Sequence, residues 1–130
     1  MTTAPTTIVT NRIALLTGDA RRIANAAIMA AGTNTRMPVA GLTGTTVVAN
    51  ALTGDWSVEY HGTRVFAIVG ASVHFRSGGF VTATTARRIN AALVAEGLAG
   101  WRVNRKKGWF IVTTPKGQYH FSKEIIIQTK

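Results

Sequence analysis

The sequence predicts an α+β fold: two duplicated helix-plus-antiparallel-β-meander units that share one core, with extra strands at the termini. Three observations carry this. "ARRIANAA" (residues 20–27) and "ARRINAAL" (86–93) repeat nearly the same eight residues within a chain of 130. Downstream of each helix block, Trp-x-Val leads through a turn containing Gly to Phe-x-(Ile/Val) and on to His-Phe, in "WSVEYHGTRVFAIVGASVHF" (56–75) and "WRVNRKKGWFIVTTPKGQYHF" (101–121). Hydrophobic residues make up 46% of the chain, enough to pack a core in one domain spanning 1–130.

The elements follow in order. "TTIVTNRIALL" near the start reads as a strand. Asp19 then caps a first helix, whose Ile23, Ala26, Ala27 and Ala30 line one side before Gly32 stops it. Residues 33–54 read as an insertion. It is a loop punctuated by Pro38, Gly41 and Gly44, followed by "TTVVANAL", which fits either helix or strand. In the first meander, Val58 faces Phe66 and Trp56 faces Ile68 across a loop of His61, Gly62 and Thr63, and Val73 and Phe75 continue the same face.

"SGG" (77–79) marks the junction between units. Thr84 or Thr85 caps the second helix, Ile89, Ala92, Leu93 and Glu96 follow at helical spacing, and Gly97 ends it. In the second meander a turn at Lys106 and Lys107 sets Val103 opposite Phe110 and Trp101 opposite Val112, with Tyr119 and Phe121 on the third strand. "EIIIQT" closes the chain as a strand, and the terminal strands either pair at a sheet edge or build a homodimer. The likeness of the two halves reads as an internal repeat, 19–76 (with the insertion) and 84–122.

Charge is lopsided. The net charge is +10, of which residues 1–65 supply +2 and residues 66–130 supply +8. A small domain with such an excess attracts polyanions, nucleic acid first. If the aromatic side of the second meander packs inward, its other side displays Arg102, Asn104, Trp109, Ile111, Thr113, His120 and Ser122, with Arg105, Lys106 and Lys107 at the turn. A tryptophan among arginines supplies a stacking plane for an unstacked base and cations for phosphates. Arg87 and Arg88, which have no acid close by in sequence, extend that track as auxiliary phosphate contacts. The matching face of the first meander (Ser57, Glu59, Val65, Ala67, Val69, His74 and Arg76) is more neutral and reads as a buried interface. A winged-helix arrangement is a weaker alternative, with Asn90 as a base reader and Lys106-Lys107 as the wing.

Chemistry finds little footing. The chain has no cysteine, so disulfides, zinc ribbons and thiol nucleophiles are absent. His61, His74 and His120 lack metal-site spacing, the acids are scattered, and no P-loop is present. The expectation is a non-enzymatic protein with no cofactor and no metal. No secretory signal and no apolar run of the ~18–20 residues that span a membrane are visible, which points to the cytoplasm, that of a host cell if the protein is phage-encoded.

The stretch 84–121, with "TTARRINAAL", a glycine-ended helix and a strand pair around "KGWFIV", resembles small uncharacterised phage and prophage proteins in which a helix precedes a basic β-hairpin. The resemblance implies a phage or mobile-element origin and transfers no functional residue. The expected function is binding of single-stranded or structured nucleic acid through the basic aromatic face. The alternative is a phage protein that binds a host protein, inhibiting or modulating it through the same basic face.

Overall fold

The computed structural model describes residues 16–33, 36–50 and 52–129. The expected strand over "TTIVTNRIALL" lies almost wholly outside the described residues. The elements are α1 (Gly18–Thr33), β1 (Arg36–Pro38), β2 (Thr45–Ala49), β3 (Trp56–Tyr60), β4 (Thr63–Val69), β5 (Ser72–Arg76), α2 (Ala83–Glu96), β6 (Arg102–Lys106), β7 (Trp109–Thr114), β8 (Gly117–Phe121) and β9 (Glu124–Gln128). A helix followed by an antiparallel meander thus occurs twice, as the sequence predicts. "TTVVANAL" resolves in favour of a strand, and with β1 it extends the first meander on one side.

One sheet has the order β1-β2-β3-β4-β5-β9 and the other β6-β7-β8, every pairing antiparallel. "EIIIQT" therefore pairs at a sheet edge, beside β5. Between β8 and β9 only Ser122 and Lys123 intervene, and the alternation of faces carries straight through. Tyr119, Phe121, Ile125 and Ile127 pack on the core, whereas His120, Glu124 and Ile126 are exposed. The chain crosses from one sheet to the other at this corner. Ser77 fastens it, donating its backbone N–H to the Lys123 carbonyl and its hydroxyl to the Ser122 carbonyl.

Both helices lie on the inner side. Helix α1 packs on β1 and β2, and α2 packs on α1, β3, β4 and β6. Ile23, Ala27, Ile89, Ala92 and Leu93 are fully buried between them, and their many alanines allow the close approach. An aromatic chain ties the sheets together. Trp56 meets Phe66 (centroids 5.3 Å), Phe66 meets Phe75 (6.3 Å), Phe75 meets Phe121 (6.1 Å), and Phe121 meets Phe110 (5.2 Å). Trp101 stacks on Phe75 at 6.4 Å.

Trp56 also donates its indole N–H to Glu96 Oε1 at 2.6 Å. Burial pushes the Glu96 carboxyl above the usual carboxylate range, and the indole bond pulls it partly back.

Several local expectations are corrected. Helix α2 starts earlier than predicted. Thr82 is its cap and accepts from the Thr85 N–H at 3.2 Å, so Thr84 and Thr85 are helical. Asp19 likewise lies within the first turn of α1, and Thr17 accepts the first helical bond, from the Arg21 N–H. The arginines consequently sit about one turn inside each helix, where the macrodipole opposes them less. Gly97 ends α2 in the left-handed conformation, as expected.

The first meander pairs as predicted at Val58–Phe66 and Trp56–Ile68, but Thr63 belongs to the ladder and a bulge falls at Val58/Glu59. The extra residue, Val65, is buried rather than outward-facing. In the second meander Val103 pairs with Val112 and Arg105 with Phe110, a slip of two residues from the expected register. The turn is Lys107-Gly108, both at positive φ like His61-Gly62, which is the pattern of two-residue hairpins. A slip of two leaves every side chain on its predicted face.

Candidate nucleic-acid interface

The second sheet presents three cross-strand rows on its outer side. Arg102 pairs with Thr113 and Thr113 with Gln118; Asn104 with Ile111 and Ile111 with His120; Lys106 with Trp109. Two residues of extended chain separate successive rows, about 7 Å. Arg102, Asn104, Lys106, Trp109, Gln118 and His120 are exposed, while Val103, Phe110, Val112 and Phe121 on the opposite side are buried. Trp109 is 49% exposed even though its neighbour Phe110 is sealed in the core. Nothing in packing explains leaving so large an apolar ring in water on a strand whose other side is the core.

Electrostatics single out the same face. Between Glu96 and Glu124 the chain contains Arg102, Arg105, Lys106, Lys107, Lys116 and Lys123 and no acidic residue. The ion pairs among the described residues are Arg22–Asp19, Arg36–Glu59, Arg76–Glu124 and Arg88–Asp19, and none of those six cations takes part. A polyanion approaching this sheet meets cations with no competing carboxylate on the same strands.

The structure brings Arg102, Asn104, Lys106, Trp109 and His120 onto one face, with exposed Lys107 at the adjoining turn. It does not bring the remaining three candidates there. Arg105 pairs with Phe110, so it lies on the face opposite Trp109, beyond the edge of the core. Arg87 is on the exposed side of α2, donating to Thr84 Oγ1 at 3.2 Å.

Arg88 is buried and engaged in structure. Its Nε donates to Thr45 Oγ1 at 2.9 Å, Nη1 lies 3.6 Å from Asp19 Oδ2, and the guanidinium sits over the Tyr60 ring at 5.6 Å. The acid it appeared to lack is Asp19, which arrives from the other helix. Arg22 shares that carboxylate at 3.4 Å. The repeated Ala-Arg-Arg is thus in part a helix–helix fastening.

Asn90 is likewise committed. Its amide donates to the Val103 carbonyl at 2.8 Å and accepts from the Val103 N–H at 2.7 Å, closing the free edge of β6 as a neighbouring strand would. The inner side of α2 packs on both sheets, and Asn90, the base reader of the winged-helix alternative, is spent on the edge of β6. On the first sheet, Ser57, Val65 and Ala67 of the more neutral face are buried, whereas Val69 and Arg76 are exposed.

Among the described residues no group of three His, Asp or Glu side chains stands close enough to hold a metal ion. No helix in that set is long and apolar enough to cross a membrane.

Two antiparallel sheets packed on two helices, one of them with cations and a tryptophan on its outer face, are the architecture here, and it belongs to a phage protein. Residues 20–128 match the model of the family described as Kyanoviridae Gp96 protein, and the chain belongs to that family. Neither a curated protein nor a solved structure matches it.

Proposed function

We propose that this phage protein binds single-stranded or structured nucleic acid, without catalysis, through the outer face of β6–β8. The observation that supports this reading is the exposed Trp109 ring in a row with Lys106, on a sheet whose cations have no acidic neighbour in sequence from 97 to 123. Trp109 offers a stacking surface that any base satisfies, Arg102, Lys106 and Lys107 neutralise phosphates, and Asn104 and His120 supply hydrogen bonds to base edges.

The test is equilibrium binding of single- and double-stranded oligonucleotides at ~150 mM salt, where purely ionic contacts are already weakened. Trp109→Ala should weaken single-strand binding by about tenfold, as loss of one stacked base does, and duplex binding by less. Equal loss on both would reject stacking. No binding to either, together with recovery of one specific host protein from an infected-cell extract, would favour the host-protein reading.

A further inference from the structure

Among the described residues Phe80, at 71%, is exposed even more than Trp109. Both stand at the same end of the molecule. Strand pairing brings the β3–β4 turn, the C-terminus of β5, the β8–β9 corner and the β6–β7 turn together there. Trp109 lies one step beyond the Phe110–Phe121 pair, alongside Ser122. The Ser122 carbonyl accepts from Ser77, three residues before Phe80. Two strand spacings, on the order of 10 Å, therefore separate the backbone at Trp109 from the loop that carries Phe80.

Phe80 flanks a cavity of about 410 Å³ between the end of the first sheet and the first turn of α2. The bulged Val65 and the edge of Tyr60, whose ring already meets His61 (centroids 4.2 Å) and the Arg88 guanidinium, wall it, and Thr63, Thr84 and Thr85 place hydroxyls around it. The loop is built to hold this position. Gly78 is at φ +67, and a Cβ there would come within 2.5 Å of the Thr63 hydroxyl, so only glycine lets the chain pass over β4. The Phe80 N–H is bonded to the Ser77 carbonyl. Two cations accompany the route. Lys123 is exposed at the corner between the two rings, and Arg87 is held beside the cavity by its bond to Thr84.

We propose that this cavity is a second base-binding site, in which Phe80 takes a nucleobase from the same single strand that stacks on Trp109, with Lys123 and Arg87 on the intervening phosphates. The proposal rests on the reading of the β6–β8 face given above and extends it. A partly enclosed, aromatic-walled space with a few hydroxyl groups suits a flat heterocycle with polar edges. Continuity with a cationic face selects a base carried on a phosphate chain over a neutral ligand. It also gives Arg87 a use that its distance from the platform denied it.

The test is binding of fluorescein-labelled dT8 and rU8 to the wild-type chain and to Phe80→Ala and Trp109→Ala, with the Val65 methyl resonances followed during titration. Phe80 is largely exposed, so its removal should leave the melting temperature unchanged. Phe80→Ala should weaken octamer binding by about tenfold, and the Val65 methyls should shift as dT8 is added; the dT8 and rU8 arms tell a DNA strand from an RNA strand. Full binding by Phe80→Ala and unmoved Val65 methyls, with Trp109→Ala still weakened, would overturn the cavity site and leave the platform standing. Weakened Phe80→Ala with unmoved Val65 methyls would place Phe80 outside any cavity site and also overturn it. Failure of the wild-type chain to bind either octamer would overturn both readings.

Discussion

The two meanders share a plan and differ in what they turn outward. On the first, Arg36 holds Glu59 through two contacts of 2.8 and 3.3 Å, and Arg76 meets Glu124 at 3.4 Å. Small Ser57 and Ala67 lie between them, and exposed Arg64 stands opposite Glu59, so three arginines share this side with two carboxylates. On the second, Arg102 and Lys106 stand in rows with Asn104, Trp109 and His120 and face no carboxylate. The inner sides are interchangeable in kind, each contributing aromatic and branched residues to one core. The same backbone arrangement therefore carries a largely neutralised surface in one place and a cationic one without carboxylates in another. The outward half of the strand alternation decides which.

The largest effect should come from confusing the two sides of β7. Phe110→Ala removes a fully buried ring from the aromatic chain and should cost about 3–5 kcal/mol of stability, whereas Trp109→Ala, one residue away, should change it by less than ~0.5 kcal/mol. Chemical denaturation of both variants measures this; similar losses would mean that Trp109 is also a core residue.

Next comes charge. Replacing Arg102 and Lys106 together by Ala should flatten the dependence of single-strand affinity on salt, lowering the slope of log K against log salt by about 1.4. The matched replacement of Arg36 and Arg76 should leave that slope in place.

Asn90→Ala should follow, at about 1–3 kcal/mol, because the Val103 N–H and carbonyl on the edge of β6 lose their partner. Amide hydrogen exchange should quicken at Val103 and leave the first sheet unaffected.

The smallest effect concerns Glu96. A carboxyl raised above its unfolded value contributes stability that is present at low pH, where both states are protonated. That stability is lost as pH climbs from the ordinary glutamate range through the raised folded value. Glu96→Gln keeps an acceptor for Trp56 and removes the buried charge, so its melting temperature should exceed that of the wild-type chain at pH 7. The difference should disappear near pH 4; a lower melting temperature at pH 7 would show that the ionised carboxylate is a net stabiliser.

The sequence made some of this legible and hid the rest for physical reasons. Two-residue periodicity fixed which side of each strand faces the core, and that sufficed to expose Trp109 despite a register error of two, since an even slip preserves faces. Register itself depended on Gly108 taking the second turn position, a local conformational choice that the lysine pair obscured. The partnerships of Arg88 with Asp19, Thr45 and Tyr60, and of Asn90 with Val103, arise between elements that meet only in the folded chain. Nothing in local spacing announces them. Phe80 and its cavity were missed because "SGGF" reads as a junction. The unpaired glycine-rich loop was a signal that the chain needed an unusual path there.

The most direct measurement maps the contact surface: amide and indole resonances of the 13.9 kDa chain followed while dT8 is added. The shifts should cluster at Arg102, Asn104, Lys106, His120 and the Trp109 indole N–H, leaving Arg36, Ser57 and Glu59 where they were. Shifts concentrated on Arg36, Ser57 and Glu59 on the outer side of the first sheet, or none at saturating dT8, would contradict the assignment of the second sheet as the binding face.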